Sequence, residues 1–353
     1  MSLMSFSVRG DVKPESLGFT LPHEHLGMEF NHFYRKPPQS IAEYLNRDID
    51  IRNVGYLRQY PYSCKYNLCF NDNETFQSIT SDVHMFKKLG GGTIVENSTE
   101  GLDRNVSRYK YCSEKTGVNV VAGTGYYISD TLPCNLQFSS TEEMYKHMRN
   151  ELTIGCSEDD TVKAGFIGEI ASVWPLRDSE RKAIQATGEL QEEIGCGVSF
   201  HPHRDPEAPF EIIRLYLEAG GKVNKAVMSH LDRTLLEDQK LLEFAELGTY
   251  CQFDLFGVEV SYYQLNASID MPSDAQRLDK IKLLVDEKKE EKILMSHDIH
   301  TKHRLTKFGG HGYHHILLNV IPRMKTRGFS LDVIDTITIR NPAQWLAMPT
   351  MQD

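Results

Sequence analysis

Eight short apolar runs, separated by stretches of helical periodicity, constrain this 353-residue chain more than any other feature. They are Gly18–Leu21, Thr93–Glu96, Asn119–Ala122, Gly165–Ile170, Gly197–Phe200, Ala226–Ser229, Tyr250–Leu255 and Ile293–Ser296. Several, such as Val118-Asn119-Val120-Val121-Ala122, hardly alternate between apolar and polar residues. That is the pattern of strands buried on both faces of a parallel sheet. The intervening stretches include Asp178–Ile194 and Ala208–Ala219; the first opens on Asp178-Ser179-Glu180 and stops at Gly195, good helix start and stop signals. Strands alternating with helices in this way make either a doubly wound open sheet or a closed (β/α)8 barrel.

The chemically reactive side chains separate the two. They stand on or just past the ends of runs one, four, five, six and eight, whereas an open sheet concentrates its chemistry near one switch point. The expectation is therefore an α/β chain folded as one (β/α)8 TIM barrel over residues 4–349, a fold that takes roughly 250 residues before insertions. A long insertion after strand one, at about residues 31–73, carries Tyr34-Arg35-Lys36-Pro37-Pro38 and Tyr56-Leu57-Arg58-Gln59-Tyr60-Pro61-Tyr62. It is too long for an ordinary connection. It either packs on the barrel's side or covers the site that strand one carries.

The balance of charge narrows the partners. A net charge of −10 with no Lys/Arg-rich run argues against nucleic acid or an anionic membrane as the main partner; the expected partner is a small-molecule substrate. No stretch approaches the ~18 apolar residues of a membrane span, and the N-terminus lacks a basic-then-apolar signal pattern. Seven scattered cysteines with no Cys-x-x-Cys pair read as reduced thiols, so a cytoplasmic location is expected.

His23 and His25 close the first run. Residues i and i+2 of a strand share a face, so both imidazoles can grip one cation. Glu169 sits inside a buried run, where a carboxylate is costly unless paired or bound to metal. His201, His230 and Asp298 end or follow runs five, six and eight. Singly, each has an ordinary reading: a turn, a structural ion pair, a satisfied core histidine, a helix cap. Together, four imidazoles and two carboxylates are the nitrogen and oxygen donors that borderline divalent metals take. They are too many for one tetrahedral ion with an open site and suit two ions.

The chain resembles the phosphotriesterase family of the amidohydrolase superfamily, and within it the phosphotriesterase-related branch. The strings that carry the likeness span almost the whole barrel: Thr20-Leu21-Pro22-His23-Glu24-His25, Gly165-Phe166-Ile167-Gly168-Glu169-Ile170, Met228-Ser229-His230-Leu231-Asp232-Arg233-Thr234, Ser296-His297-Asp298-Ile299-His300 and Gly309-Gly310-His311-Gly312-Tyr313. The resemblance implies a hydrolase with two divalent ions, zinc first, with manganese, iron(II) or cobalt as alternatives. It assigns His23, His25 and Asp298 to one ion, His201 and His230 to the other, and Glu169 to both. Organophosphate-hydrolysing members bridge their metals with a carboxylated lysine; here the position offers Glu169, which argues against fast phosphotriester hydrolysis. Asp298 is implied as the general acid–base.

Around the metals, the resemblance to lactonase members suggests Tyr127 as a pocket residue, with aromatic packing as the ordinary alternative. Arg233, three residues past His230, and Arg204, three past His201, are candidates to grip an anionic substrate group. Of the histidines after run eight, His300 is expected in the pocket, and His303, His311, His314 and His315 in structural or solvent-facing places. The leading substrate class is a carboxylic ester or lactone, including one with an anionic group; the alternative is the amide of an N-acyl amino acid or N-acyltaurine-like compound. The family also allows a homodimer. Two rivals rank lower. A non-catalytic ligand-binding barrel predicts decay of the ligand set, which is intact, and a mononuclear deaminase needs a helix-borne His-x-x-Glu that the segment after His201 lacks.

Overall fold

The computed structural model describes residues 3–260 and 262–349. Its strands are β1 (Leu3–Ser7), β2 (Gly10–Val12), β3 (Phe19–Glu24), β4 (Gly91–Glu96), β5 (Asn119–Thr124), β6 (Phe166–Ala171), β7 (Gly197–His201), β8 (Ala226–Met228), β9 (Tyr250–Phe253), β10 (Ile293–Met295) and β11 (Met348–Pro349). β3 to β10 lie side by side in chain order, each parallel to the next. Side-chain and loop hydrogen bonds close the ring: Ser296 Oγ accepts the His23 N–H at 3.1 Å, and the Asp298 N–H donates to the His23 carbonyl at 3.1 Å. The protein is a (β/α)8 TIM barrel.

The eight apolar runs are the eight barrel strands, with ends that coincide or are displaced by up to three residues. The largest displacement matters: β3 continues through Pro22 to Glu24, so His23 lies within the strand instead of after it. The helix at Asp178–Ile194 has the expected bounds, and Gly195 stops it with a left-handed φ of 76° that a side chain would disfavour. The next helix ends at Glu218, one residue short of expectation.

Alternation along the strands builds two layers. Val95, Val121, Phe166, Val227, Tyr250 and Leu294 come from six strands and form one buried cluster, which Trp345 joins with its ring 5.4 Å from that of Phe166. Their sequence neighbours, Ile94, Val120, Ile167 and Met228 among them, pack outward under the helices. Beyond the eight, β1 pairs antiparallel with β2 and β11. The Val8 N–H donates to the Val120 carbonyl at 2.8 Å, which seats this small sheet against the entry of β5, opposite the site.

The insertion after β3 is a chain of short turns, with helical pieces at Ala42–Leu45, Val54–Gln59 and Lys65–Leu68. Leu45, Leu57 and Cys64 give it a core of its own. Its Pro61–Ser63 turn reaches over the barrel mouth, so the segment both packs beside the barrel and contributes to the site. All seven cysteines are free thiols. No helix among the described residues is long and apolar enough to cross a membrane.

Candidate metal centre

The strand geometry delivers His23, His25, Glu169, His201, His230 and Asp298 to one end of the barrel, all at its centre. His23 Nε2 lies 3.5 Å from Glu169 Oε2 and 3.8 Å from Asp298 Oδ1. His25 Nε2 is 3.2 Å from Asp298 Oδ1 and 3.7 Å from Glu169 Oε1. His201 Nδ1 is 2.7 Å from Glu169 Oε2 and 2.9 Å from His230 Nε2. Donors about 2.0–2.1 Å from a tetrahedral ion stand roughly 3.3 Å apart, and the cluster brackets that spacing. Two groups have all their ligand atoms within 4.8 Å of one another: His23, His25 and Asp298, and His23, Glu169 and His230. The first matches the grouping that the resemblance implies. In the second His23 joins Glu169 and His230, with the His201 Nδ1 against both of the latter.

Buried polar groups behind three of the imidazoles meet their Nδ1 atoms. Ser98 Oγ donates to Glu96 Oε1 at 2.8 Å and so receives the His25 Nδ1–H at 2.9 Å. His230 Nδ1 donates to Asp254 Oδ1 at 2.7 Å. The amide nitrogen of Gln252 lies 2.8 Å from Asp254 Oδ2, 3.0 Å from Ser229 Oγ and 3.1 Å from His23 Nδ1, and Ser229 Oγ is 3.1 Å from the same ring nitrogen. The Nε2 atoms of all three rings therefore face inward, those of His23 and His25 towards Glu169 and Asp298 and that of His230 towards Glu169 and His201. The His23 Nε2 is fully buried without a hydrogen-bond partner, an orphan that a cation would satisfy. The donor set fits a divalent metal.

Burial lowers His23 to about 4, against the pull of Asp254 and with the help of His230. Burial acts the same way on His25, but the hydrogen bond to Asp298 and the charges of Glu169 and Asp298 overcome it and raise it to about 9. Burial would raise Asp298, yet the His300 charge and hydrogen bonds from His25 and His300 hold it well below the usual carboxylate range. It stays ionised.

Two ligand positions bend the backbone. His230 and Asp298, just past β8 and β10, have φ of 58° and 54°, a left-handed conformation uncommon outside glycine. Such strain persists only where surrounding bonds hold it. Asp254 supplies them for His230, accepting its backbone N–H at 3.1 Å. For Asp298 they come from the His23 carbonyl and from Arg304, which donates to the carbonyls of Asp298 and His297.

A cavity opens over the cluster. Tyr127 lines it, its ring 5.2 Å from that of His201. Arg233 is buried, its Nη2 3.3 Å from His201 Nε2 and 3.2 Å from the Pro202 carbonyl, and Arg204 donates to the Tyr263 hydroxyl at 2.7 Å. Neither guanidinium has a carboxylate partner within 4 Å among the described residues, although both line the cavity. His300 lines it too, with Nδ1 2.7 Å from the Asp298 carbonyl and Nε2 3.3 Å from the Tyr62 hydroxyl. Contrary to expectation, His303 also reaches the cavity, because Asn67 of the insertion holds its Nδ1 at 3.2 Å and turns it inward.

The sequence profile of the phosphotriesterase family matches residues 4–346. The chain belongs to the phosphotriesterase family. Over 349 residues it is 52% identical to a phosphotriesterase-related protein of Aedes aegypti, covering 97% of this chain and 98% of that one. A resiniferatoxin-binding protein from Rhodobacter sphaeroides is similar in structure, with a TM-score of 0.92 at 26% identity over 97% of this chain and 94% of the other. A lactonase from Listeria monocytogenes shares the fold, with a TM-score of 0.77 at 22% identity over 97% and 98%.

Against this family member's site, residue-by-residue reading missed Glu96, Asp254 and the loop after β9. The two carboxylates carried the same signal as Glu169, an acid at the end of an apolar run, in runs two and seven. The loop, which brings Val258, Val260, Tyr263 and Leu265 over the cavity, had no local signal. Its Gln264 accepts the Tyr62 N–H at 3.0 Å and donates to Ser63 Oγ at 2.8 Å, tying two distant loops together.

Proposed function

We propose that this chain is a binuclear-metal-dependent hydrolase that cleaves a carboxylic ester or lactone bearing an anionic group. The observation that carries the reading is the convergence of four imidazoles and two carboxylates, three of the imidazoles held from behind by their own buried partners. His23, His25, Glu169, His201, His230 and Asp298 would hold the ions, zinc being the first choice of metal. Bound there, divalent ions supply Lewis-acid polarisation of the scissile carbonyl and a water acidified towards neutral pH.

The chain's own residues do the rest. The ionised Asp298 carboxylate accepts the water's proton and returns it to the leaving group. Arg233 and Arg204, without carboxylate partners among the described residues, receive the anionic group and set the carbonyl over the cluster. Tyr62, Tyr127 and Leu255 exclude water from it. The same two arginines suit an amide with a carboxylate or sulfonate on the amine side, which makes amide cleavage the second reading.

The test combines elemental analysis with hydrolysis of matched lactones, esters, N-acyl amino acids, an N-acyltaurine and a phosphotriester. About two transition-metal ions per chain with turnover of the esters or lactones supports the reading. Turnover of the amides alone replaces the bond type but keeps the metal chemistry. Protein that takes up no metal and turns over nothing overturns it in favour of a ligand-binding barrel.

A further inference from the structure

Glu24 stands between the two first-strand histidines and, by strand alternation, points away from them. It is fully buried and meets no lysine or arginine within 4 Å among the described residues. Instead its carboxylate gathers donors from the exit of β10. Oε1 accepts from the Ser296 hydroxyl at 2.7 Å, the His297 N–H at 2.8 Å and the His297 ring at 2.8 Å; Oε2 accepts the Ile299 N–H at 3.0 Å. The ring donates through Nδ1 because His297 Nε2 accepts the Ile316 N–H at 3.1 Å.

These contacts bracket Asp298 on both sides. They also lie at the seam where the ring closes, since β10 and β3 share no regular ladder and meet through Ser296, His23 and Asp298. A residue held at φ 54° needs such fixing on either side.

We infer that Glu24 is a positioning residue: its carboxylate fastens the β10 exit to β3 and so sets the Asp298 carboxylate against His23 and His25. The inference rests on the proposed metal reading. Glutamine has the same length but only one acceptor oxygen. Whichever way its amide turns, the NH2 faces a donor, either the Ile299 N–H or the three donors that Oε1 receives.

The experiment titrates metal-free wild type and Glu24→Gln with zinc against a chelating dye, and follows thermal unfolding of both metal-free proteins. Wild type should bind two ions. Glu24→Gln should keep one site near wild-type affinity and weaken the other by about 10–100-fold, the loss typical for removing a group that orients a metal ligand. A purely structural role would lower the unfolding temperature without separating the two sites. Two wild-type-like sites in Glu24→Gln overturn the inference, as does equal weakening of both. If Glu24→Gln does not fold, Ser296→Ala decides: it removes one of the four donors, and a several-fold weakening confined to one site is expected, while unchanged binding overturns the inference. Wild type that binds no zinc overturns the metal reading itself, a separate outcome.

Discussion

Asp298 Oδ1 lies 3.2 Å from His25 Nε2, although the two residues stand just past the last and first strands of the barrel. The contact exists because the ring closes there, and under the proposed function Asp298 would act both as ligand and as base. Asp298→Asn keeps an oxygen donor but loses the charge that takes a proton. Metal content should stay near two per chain while kcat falls by about 10²–10⁴. Near-wild-type turnover by a metal-loaded variant would remove Asp298 from the proton path.

Asp254 supports His230 through both its ring and its backbone N–H. Asp254→Ala leaves the ring free to rotate and the left-handed backbone without its acceptor. Zinc affinity should drop about 10–100-fold, measured by competition with a chelator. Unaltered affinity would mean that packing alone orients His230.

Arg233 and Arg204 have no carboxylate partner within 4 Å among the described residues, so their effect should depend on substrate charge. Arg233→Met should raise KM for an anionic ester about 10–100-fold, as expected for loss of a charged hydrogen bond of about 1.5–3 kcal/mol. KM for a neutral ester of the same size should move little. Equal effects on both substrates would make Arg233 a packing residue.

Gln264 is the tie between the loop after β9 and the Pro61–Ser63 turn. Gln264→Ala removes two hydrogen bonds worth about 0.5–1.5 kcal/mol each. Amide hydrogen exchange should accelerate in both loops together, with the barrel strands unchanged. Faster exchange in one loop alone would show that they open independently.

Asp72 caps the helix Asn73–Lys88 by accepting from Thr75 N–H at 2.9 Å, and it pairs with the buried Lys302. Burial alone would raise its carboxyl; the Lys302 ammonium and the Thr75 donors prevail and lower it to about 2. A depressed folded-state value means stability that is present above the unfolded value, about 3.9, and lost as pH falls towards 2. Asp72→Asn should therefore unfold at a lower temperature than wild type at neutral pH, with the gap closing between about pH 4 and 2. A gap that persists unchanged at pH 2 would assign it to the cap geometry instead of the charge.

Glu169 shows how a site becomes legible in a sequence. A carboxylate inside an apolar run has no cheap explanation, and histidines at the ends of other runs supply one. The same reasoning applied to Asp254 and Glu96 would have found the groups behind His230 and His25, which hold the ligands without pointing into the cavity. Glu24 was hidden for another reason. It sits between two ligands, and only strand alternation together with ring closure turns it toward the end of β10. His303 reached the cavity through Asn67, a contact between residues 236 positions apart, which no local pattern encodes.

Periodicity, apolar runs and helix stop signals are local properties, and they alone determined that this chain makes eight strands with helices between them and carries six metal-type ligands at their ends. Which ligand faces which was decided by the closed barrel, since distances such as that from His201 to Glu169 depend on strand tilt and register. The cavity's roof was decided there as well. Gln264 and Tyr62 are joined across about two hundred residues, and such a contact forms only after the barrel has brought both loops to the same rim.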